Sequence, residues 1–324
     1  MPRPQMFDLD SLILFLLFTL LPPHHHVTAQ TSSCHPAVVY ITVYTGHVDE
    51  PRGADRVPLP PSSNQSIFFS DNRDILQSAS NLGWRTHKLH GKPVKSSYRS
   101  AMKAKIVKAV PHELYNFQQD YDYLVYFDSK IDINVDTVKS MICNHMMYDH
   151  ADVALLTTRH RQQFHTVWEE FHESLKQMRY RMHGKRMKEY ILMRETKQSN
   201  DHYVHHVQQQ QKEKEEKEEK EEKEEEKEKE AQERYVSETR FMIRALKHPK
   251  IEEITNEWMQ EIELCGIECQ ISFFFIEQKW KKYIVQLNTI DYELRAPKES
   301  GWVQKNKKLD KGREDEEKKT KKEL

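Results

Sequence analysis

Residues 121–133 read YDYLVYFDSKIDI and decide the fold of this 324-residue chain. Leu124 to Phe127 are apolar without interruption, which is typical of a strand buried on both faces of a parallel sheet. The run ends abruptly at Asp128. Open α/β sheets bind ligands outside the carboxyl ends of their strands. Asp128 is therefore predicted to face a ligand, with capping of the following turn as the alternative.

Strand and helix patterns alternate on both sides of this stretch. Strands are predicted at 38–44 (VVYITVY), 66–69, 84–89, 153–156, 240–244 and 284–287, while the apolar segment 271–276 fits a strand or a buried helix turn equally well. Helices are predicted at 100–110, 138–146, 167–182, whose apolar stripe is assigned to the core, and 251–262. In the first helix Met102, Ile106 and Ala109 share one face, while Lys103 and Lys108 point elsewhere. This alternation predicts an α/β fold with a mostly parallel central sheet flanked by helices.

Three segments are unsuited to a packed core. The apolar run 11–21 is about half as long as a membrane span and precedes Val27-Thr28-Ala29, so residues 1–29 are predicted to be a cleaved signal peptide. Residues 209–231 are a low-complexity insertion, since 212–230 contain only Lys and Glu, and residues 305–324 are a charged, disordered tail. The remaining residues, 30–208 and 232–304, are predicted to fold as a single domain.

The composition narrows the class of protein and the cellular compartment that are consistent with this chain. The formal net charge is −1 and no basic stripe is present, which argues against a nucleic-acid partner. An oxidising lumen allows one or two disulfides, and the CxxxC spacing does not favour a zinc site; the cysteines are Cys34, Cys143, Cys265 and Cys269.

Two short motifs agree with a lumenal location. Asn64-Gln65-Ser66 is an N-glycosylation sequon, and the terminal Lys-Lys-Glu-Leu resembles retrieval signals of the endoplasmic reticulum. We expect the chain in the lumen of the endoplasmic reticulum or Golgi, retained through this signal and without a stable membrane span. Secretion is the alternative.

The chemistry expected at Asp128 is that of a nucleotide-sugar site. Hard cations prefer carboxylate oxygen, so a strand-tip Asp is suited to hold Mn²⁺ or Mg²⁺ against a diphosphate. Many such sites carry Asp-x-Asp, whereas this chain has Asp128-Ser129-Lys130, which makes Lys130 a candidate to neutralise phosphate directly. His112 is suited to bind phosphate or a metal ion, and a simple surface position is the alternative. Glu169 and Glu170 fit a catalytic base or a favourable interaction with the helix dipole.

Taken together, these motifs resemble the plant turgor-regulation and seed-mucilage glycosyltransferase-like family, in the same order along most of the chain. The family's helix block is similar to the segment carrying Arg99, Lys105 and His112, and its Tyr-Ser-Ile-Trp-Ile-Asp block resembles the stretch around Asp128 and Lys130. Its Trp-Glu-Glu, Tyr-Glu-Thr-Gly-x-x-x-Arg and Trp-x-x-Glu-Ile blocks resemble Trp168-Glu169-Glu170, the segment YVSETRFMIR that ends at Arg244, and residues 258–262.

The resemblance implies a GT-A-like fold, a nucleotide-sugar donor, a divalent cation, and hexosyl or uronosyl transfer to a glycan, protein or lipid acceptor. It implies catalytic roles for Asp128, Glu169, Glu170 and Gln270, with Asp128 also on the metal. It further implies donor binding by Arg99, Lys105, His112, Lys130 and Arg244.

Two departures from the family pattern leave an alternative. Cys269 replaces an acidic residue of the family's Arg-Asp-Gln-Leu-Ser-Phe block, and Phe164 stands where a charged residue is expected. Together with the missing second Asp of the Asp-x-Asp pattern, these changes make a catalytically inactive lumenal binding or scaffold protein the second hypothesis. Hydrolysis of a lipid such as ceramide, to which one branch of the family is linked, is the third.

Overall fold

The computed structural model describes residues 34–46, 57–62, 64–93, 96–129, 131, 133–147, 150–160, 162, 164–212 and 235–288. The predicted signal peptide, residue Lys130, the insertion beyond residue 212 and the charged tail lie outside these ranges. The chain divides into two compact units, Met1–Cys34 and His35–Leu324, and the fold described below is that of the second unit.

The described residues form one seven-stranded sheet. In chain order its strands are β1 (Val38–Tyr44), β2 (Ser66–Ser70), β3 (Arg85–Lys88), β4 (Tyr123–Phe127), β5 (Leu155–Arg159), β6 (Ser237–Ala245) and β7 (Ile284–Leu287). Their order across the sheet is β3-β2-β1-β4-β6-β5-β7. β6 is antiparallel to β4 and β5, and the remaining neighbours are parallel. The predicted α/β class with a mostly parallel central sheet is confirmed.

Helices cover both faces of the sheet. They are α1 (Arg73–Asn81), α2 (Ser97–Ala109), α3 (Val135–His145), α4 (Val167–Ser174), α5 (Met178–Arg181), α6 (Gly184–Lys212), α7 (Ile251–Cys265) and α8 (Cys269–Lys279). Side chains of β4 alternate between the two faces, as strand geometry requires. Val125 and Phe127 pack in the core with α1 and α3. Leu124 and Tyr126 face the side of the sheet that α2 covers.

The strand order places a switch point beside β4. The chain adds β2 and β3 on one side of β1, and then returns to add β4 on the other side. In sheets wound in this way, the crevice outside the carboxyl ends of the two central strands is the usual ligand site. Here those ends are Tyr44 of β1 and Phe127 of β4, which Asp128 follows directly.

Several element boundaries differ from the sequence prediction. The segment 271–276 belongs to helix α8, and β5 begins at Leu155 rather than Val153. The stripe predicted as one helix over 167–182 breaks into α4 and α5, so that Met178 and Met182 are 72% and 78% exposed instead of packed in the core.

The described cysteines fall into two classes. Cys34 and Cys143 each take part in a disulfide bond, whereas Cys265 and Cys269 are buried free thiols. Within the described ranges, no helix is long and apolar enough to cross a membrane.

Trp258 is expected to dominate the packing of α7 on α8. Its side chain is fully buried, its Nε1 donates to Ser272 Oγ at 3.2 Å, and its ring meets Phe273 edge-on with centroids 4.9 Å apart. Trp258→Ala is predicted to lower the free energy of unfolding by about 3–5 kcal/mol, measured by urea denaturation. Leu264→Ala, on the exposed face of the same helix, is the control and should change stability by no more than about 0.5 kcal/mol. Equal effects of the two changes would show that this contact does not stabilise the fold.

Candidate functional site at the carboxyl edge of the sheet

The tips of β1 and β2 are tied together by a buried carboxylate. Asp71, which follows β2, accepts a hydrogen bond on Oδ1 from the Gly46 N–H at 2.9 Å. Its Oδ2 pairs with Lys103 Nζ of α2 at 2.7 Å. Gly46 has a φ of 101°, a conformation that favours glycine. Asp71 therefore fixes one wall of the crevice, and its charge is paired with Lys103.

Asp128 lies at the opposite wall. Its N–H donates to the Arg240 carbonyl of β6 at 2.9 Å, and its Oδ1 accepts from the Tyr126 hydroxyl at 2.7 Å. Lys108 Nζ is 3.8 Å from the same oxygen. Burial alone would raise the pKa of Asp128, but the Lys108 charge, the Tyr126 hydrogen bond and the Lys105 charge bring that pKa below its usual value. Asp128 is therefore a carboxylate at neutral pH.

Lys108 is the buried cation of the site. Its residue is 3% exposed, in contrast to the sequence prediction that it points away from the apolar face. Side chains of a helix tilt toward its N-terminus, so Lys108 extends from the last turn of α2 toward the carboxyl edge of the sheet. Its Nζ lies 5.2 Å from the centre of the Tyr126 ring. Among the described residues, its only carboxylate neighbour is Asp128, whose Oδ1 lies 3.8 Å from Nζ, which is beyond hydrogen-bond distance.

Lys105, one turn earlier on α2, contacts the start of α8. Its Nζ is 2.9 Å from Cys269 Sγ, which is also 3.1 Å from Thr239 Oγ1 of β6. Burial alone would lower the pKa of Lys105, but Cys269 and Glu268 outweigh it and raise that pKa. Lys105 is therefore a cation held beside Asp128. The cysteine that departs from the family pattern is thus a direct contact of this predicted donor-binding lysine.

Glu169 and Glu170 have different environments. Glu169 is exposed, and its Oε2 accepts the N–H groups of His165 and Thr166 at 2.7 and 3.0 Å. With Thr166 it forms a capping box at the start of α4. These contacts give Glu169 the helix-end role that the sequence left open.

Glu170 is buried on the inner face of the same turn. Its Oε1 accepts from Ser174 Oγ at 3.1 Å, and its Oε2 is 3.7 Å from His160 Nε2. Burial, together with the nearby charge of Glu268, raises the pKa of Glu170 to about 8. Perturbed carboxyls of this kind are concentrated at functional sites.

The remaining predicted residues are spread over the molecule. Gln270 lies beside Cys269 at the start of α8, and its Nε2 is buried without a hydrogen-bond partner in the described part of the chain. Arg99 is exposed in the first turn of α2. Lys130 is outside the described residues.

His112 and Arg244 are not brought to the carboxyl edge. His112 follows α2, near the amino end of β4, and its Nε2 is 3.2 Å from Asn256 Oδ1 of α7. Arg244 pairs in register with Leu124, near that same end of β4, and its Nη2 donates to the Lys108 carbonyl. Arg244 thus stabilises the end of α2 from within the core. Lys105, Asp128, Glu170 and Gln270 are the predicted residues that do gather around the start of α8 and the tips of β4 and β5.

Three contributors were missed by sequence reasoning: Lys108, Tyr126 and Glu268. Tyr126 was detectable, because residues two apart on a strand share a face, which places its hydroxyl near Asp128. Lys108 and Glu268 carry no sequence signal that distinguishes them from surface charges.

The side chains around Asp128 do not form a divalent-cation site by themselves. Across the described ranges, no three His, Cys, Asp or Glu side chains converge in the way that a metal requires. The nearest groups to Asp128 Oδ1 are the Tyr126 hydroxyl, which donates a hydrogen bond to it, and the Lys108 ammonium, whose charge repels a cation. Asp128 as a metal ligand stays a prediction, and no chemical step below depends on a metal.

Comparisons with known proteins do not assign this chain to a family. The sequence matches no protein-family model, and no curated protein matches it at a significant level. Among solved structures, it is similar to core-mannan synthase A from Aspergillus fumigatus in its Mn/GDP form. The TM-score is 0.35 and the sequence identity 11%, over 79% of this chain and 73% of that one. A likeness this distant carries no functional conclusion.

Proposed function

We propose that this chain is a glycosyltransferase with a GT-A-like fold, which moves a sugar from a nucleotide-sugar donor to a glycan, protein or lipid acceptor. One observation carries the proposal. The Lys108 side chain is buried at the switch point of the sheet, and the carboxylate that its Nζ pairs with among the described residues is Asp128, at 3.8 Å.

A buried ammonium group is expensive unless it is paired. Asp128 offsets only part of this cost, because it lies 3.8 Å away and its side chain is 34% exposed. An anionic ligand in the crevice would supply the missing acceptors. Lys105 carries a second cation to the same place.

A nucleoside diphosphate fits this charge pattern. In sugar transfer the bond from the anomeric carbon to the diphosphate breaks, and negative charge grows on the departing phosphate oxygen. Fixed cations aimed at that oxygen stabilise the transition state more than the ground state, which is the condition for catalysis. Lys108 and Lys105 are assigned this role, and Asp128 holds Lys108 in place and contacts the donor.

The resemblance to the plant turgor-regulation and seed-mucilage family supports the same assignment, since its matched Asp128 and Lys105 lie in one cluster. We extend the proposal to hexosyl or uronosyl transfer in the lumen of the endoplasmic reticulum or Golgi. A nucleotide-binding protein without turnover is the second candidate, because Lys105 is engaged by a thiol, Cys269, where the family pattern has an acidic residue.

Turnover of nucleotide-sugars separates the two candidates. The purified chain, incubated with a panel of UDP-, GDP- and CMP-sugars in Mn²⁺ and in EDTA, is expected to release the nucleoside diphosphate, or CMP, from at least one donor with water as acceptor. Release is followed by chromatography. Binding of the donors without any release would support the binding protein, and the absence of both binding and release would overturn the proposal.

A further inference from the structure

Glu170 lies on the β5 side of the cluster that contains Asp128. Its neighbour His160 directly follows β5, and β6 separates β5 from β4 in the sheet. Along β6, Phe127 at the tip of β4 pairs with Phe241, whereas Arg159 at the tip of β5 pairs with Ser237, so β5 projects beyond β4 at this edge. The start of α8 connects Glu170 to the diphosphate site, because Glu268 and Cys269 act on the pKa of both Glu170 and Lys105.

The two oxygens of the Glu170 carboxyl are not equivalent. Oε1 accepts from Ser174 at 3.1 Å, whereas Oε2 is buried without a hydrogen-bond partner in the described residues. A buried carboxyl oxygen without a partner is costly and rare in folded proteins. Oε2 is therefore the atom suited to exchange a proton with a ligand.

Hydrogen bonding and ring stacking orient His160 toward Glu170, so that the proton-accepting group is Glu170 and not His160. Its Nδ1 accepts the Gln162 N–H at 3.2 Å, so in the neutral ring Nε2 carries the proton. That Nε2 lies 3.7 Å from Glu170 Oε2. The imidazole is stacked on Phe164 with ring centroids 4.6 Å apart, so the residue that departs from the family pattern fixes the orientation of His160.

The charged groups facing Glu170 come from three directions. His160 approaches from the end of β5, Glu268 and Cys269 approach from the start of α8, and Glu173 is on the same helix. Of these groups, Glu268 has the strongest effect on Glu170, and its carboxyl group also caps α8 by accepting the Gln270 N–H at 3.0 Å.

We propose that Glu170 is the general base that takes the proton of the acceptor hydroxyl, and that transfer inverts the anomeric configuration. The acceptor oxygen forms a bond to the anomeric carbon while the bond from that carbon to the diphosphate breaks. The diphosphate leaves with the electron pair, and the hydroxyl proton moves to Glu170 Oε2. A base on the acceptor side permits this single displacement, which must invert the carbon. The inference rests on the proposed function.

Glu170→Gln tests the base directly. Gln resembles the protonated carboxyl that burial favours, so the fold should be kept. Release of the nucleoside diphosphate from the best donor, with water as acceptor, is expected to fall by roughly 10²- to 10⁴-fold, while binding of the nucleoside diphosphate stays unchanged. Glu189→Gln, at an exposed position on α6, is the control and should leave turnover unchanged.

Two measurements on folded, active protein complete the test. Turnover should rise with pH through about 8, as Glu170 loses its proton. Glu268→Gln removes a like charge and should move this rise to lower pH. NMR of the first sugar released should show the anomer opposite to that of the donor. Retained configuration, an unmoved pH profile or an active Glu170→Gln variant would each overturn the inference while leaving the glycosyltransferase assignment intact. A wild-type chain that binds no donor overturns both.

Discussion

Lys108→Met is expected to weaken binding of a nucleoside diphosphate by roughly 30- to 1000-fold, equivalent to about 2–4 kcal/mol. The Lys108 side chain is buried, and within the described part of the chain Asp128 is its one carboxylate neighbour, so a phosphate oxygen would be its strongest partner. Methionine has a similar length and no charge, but the change leaves Asp128 without its cationic neighbour, so we also expect a loss of stability of about 1–3 kcal/mol. The loss of affinity, and the rise in KM of the donor, should be measured on protein that urea denaturation shows to be folded.

The matched control is Lys139→Met, because Lys139 is exposed on α3, which packs on the other face of the sheet. Isothermal calorimetry with UDP and GDP compares the two variants. If Lys108→Met and Lys139→Met bind equally well, then Lys108 does not contact the diphosphate.

Asp128→Asn should have the second-largest effect, on activity and stability together. Without its carboxylate, Lys108 loses its charged partner and is no longer held beside the donor. We expect kcat/KM for donor turnover to fall by about 10²-fold or more. The free energy of unfolding should fall by about 1–3 kcal/mol, less than for a fully buried pair because Asp128 is one-third exposed.

The pH dependence of stability provides an independent check on Asp128. Its pKa in the folded chain is lowered, so the stability it contributes is present above its unfolded pKa of about 4 and is lost as the pH falls through its folded pKa. In the Asp128→Asn variant, the free energy of unfolding should therefore fall less steeply as the pH is lowered through this range.

In the double variant with Lys108→Met, much of the lost stability should return, because no unpaired buried charge is left. Strictly additive losses would show that the two residues do not interact.

The sheet was largely predictable from local patterns, and the site only partly. Strand β1 is a continuous run of β-branched and aromatic residues, and it begins and ends where predicted. The stripe over 167–182 was misleading, since apolar spacing alone does not show that the chain turns after Ser174. At Gly184, where α6 begins, an added Cβ would lie only 2.9 Å from Leu175 Cδ2, so this turn brings the two segments into close contact.

Neighbouring residues with the same side chain show why the roles in the site could not be assigned from sequence. Glu169 and Glu170 share one helix turn, yet one is an exposed capping residue and the other a buried carboxyl. The difference depends on α8 packing against α4, which is a long-range contact. Lys108 is similar: the residue is buried, and its main-chain carbonyl accepts from Arg244 Nη2 of β6, more than 130 residues away in the chain.

Calorimetric titration of the unmodified chain with UDP and GDP, in EDTA and again in Mn²⁺, tests the central claim most directly. The charge pattern at Lys105, Lys108 and Asp128 predicts saturable binding of at least one of these nucleotides at one site per chain, which the matching sugar-nucleotide displaces. No binding of either nucleotide in both conditions would contradict a donor site at the carboxyl ends of β1 and β4.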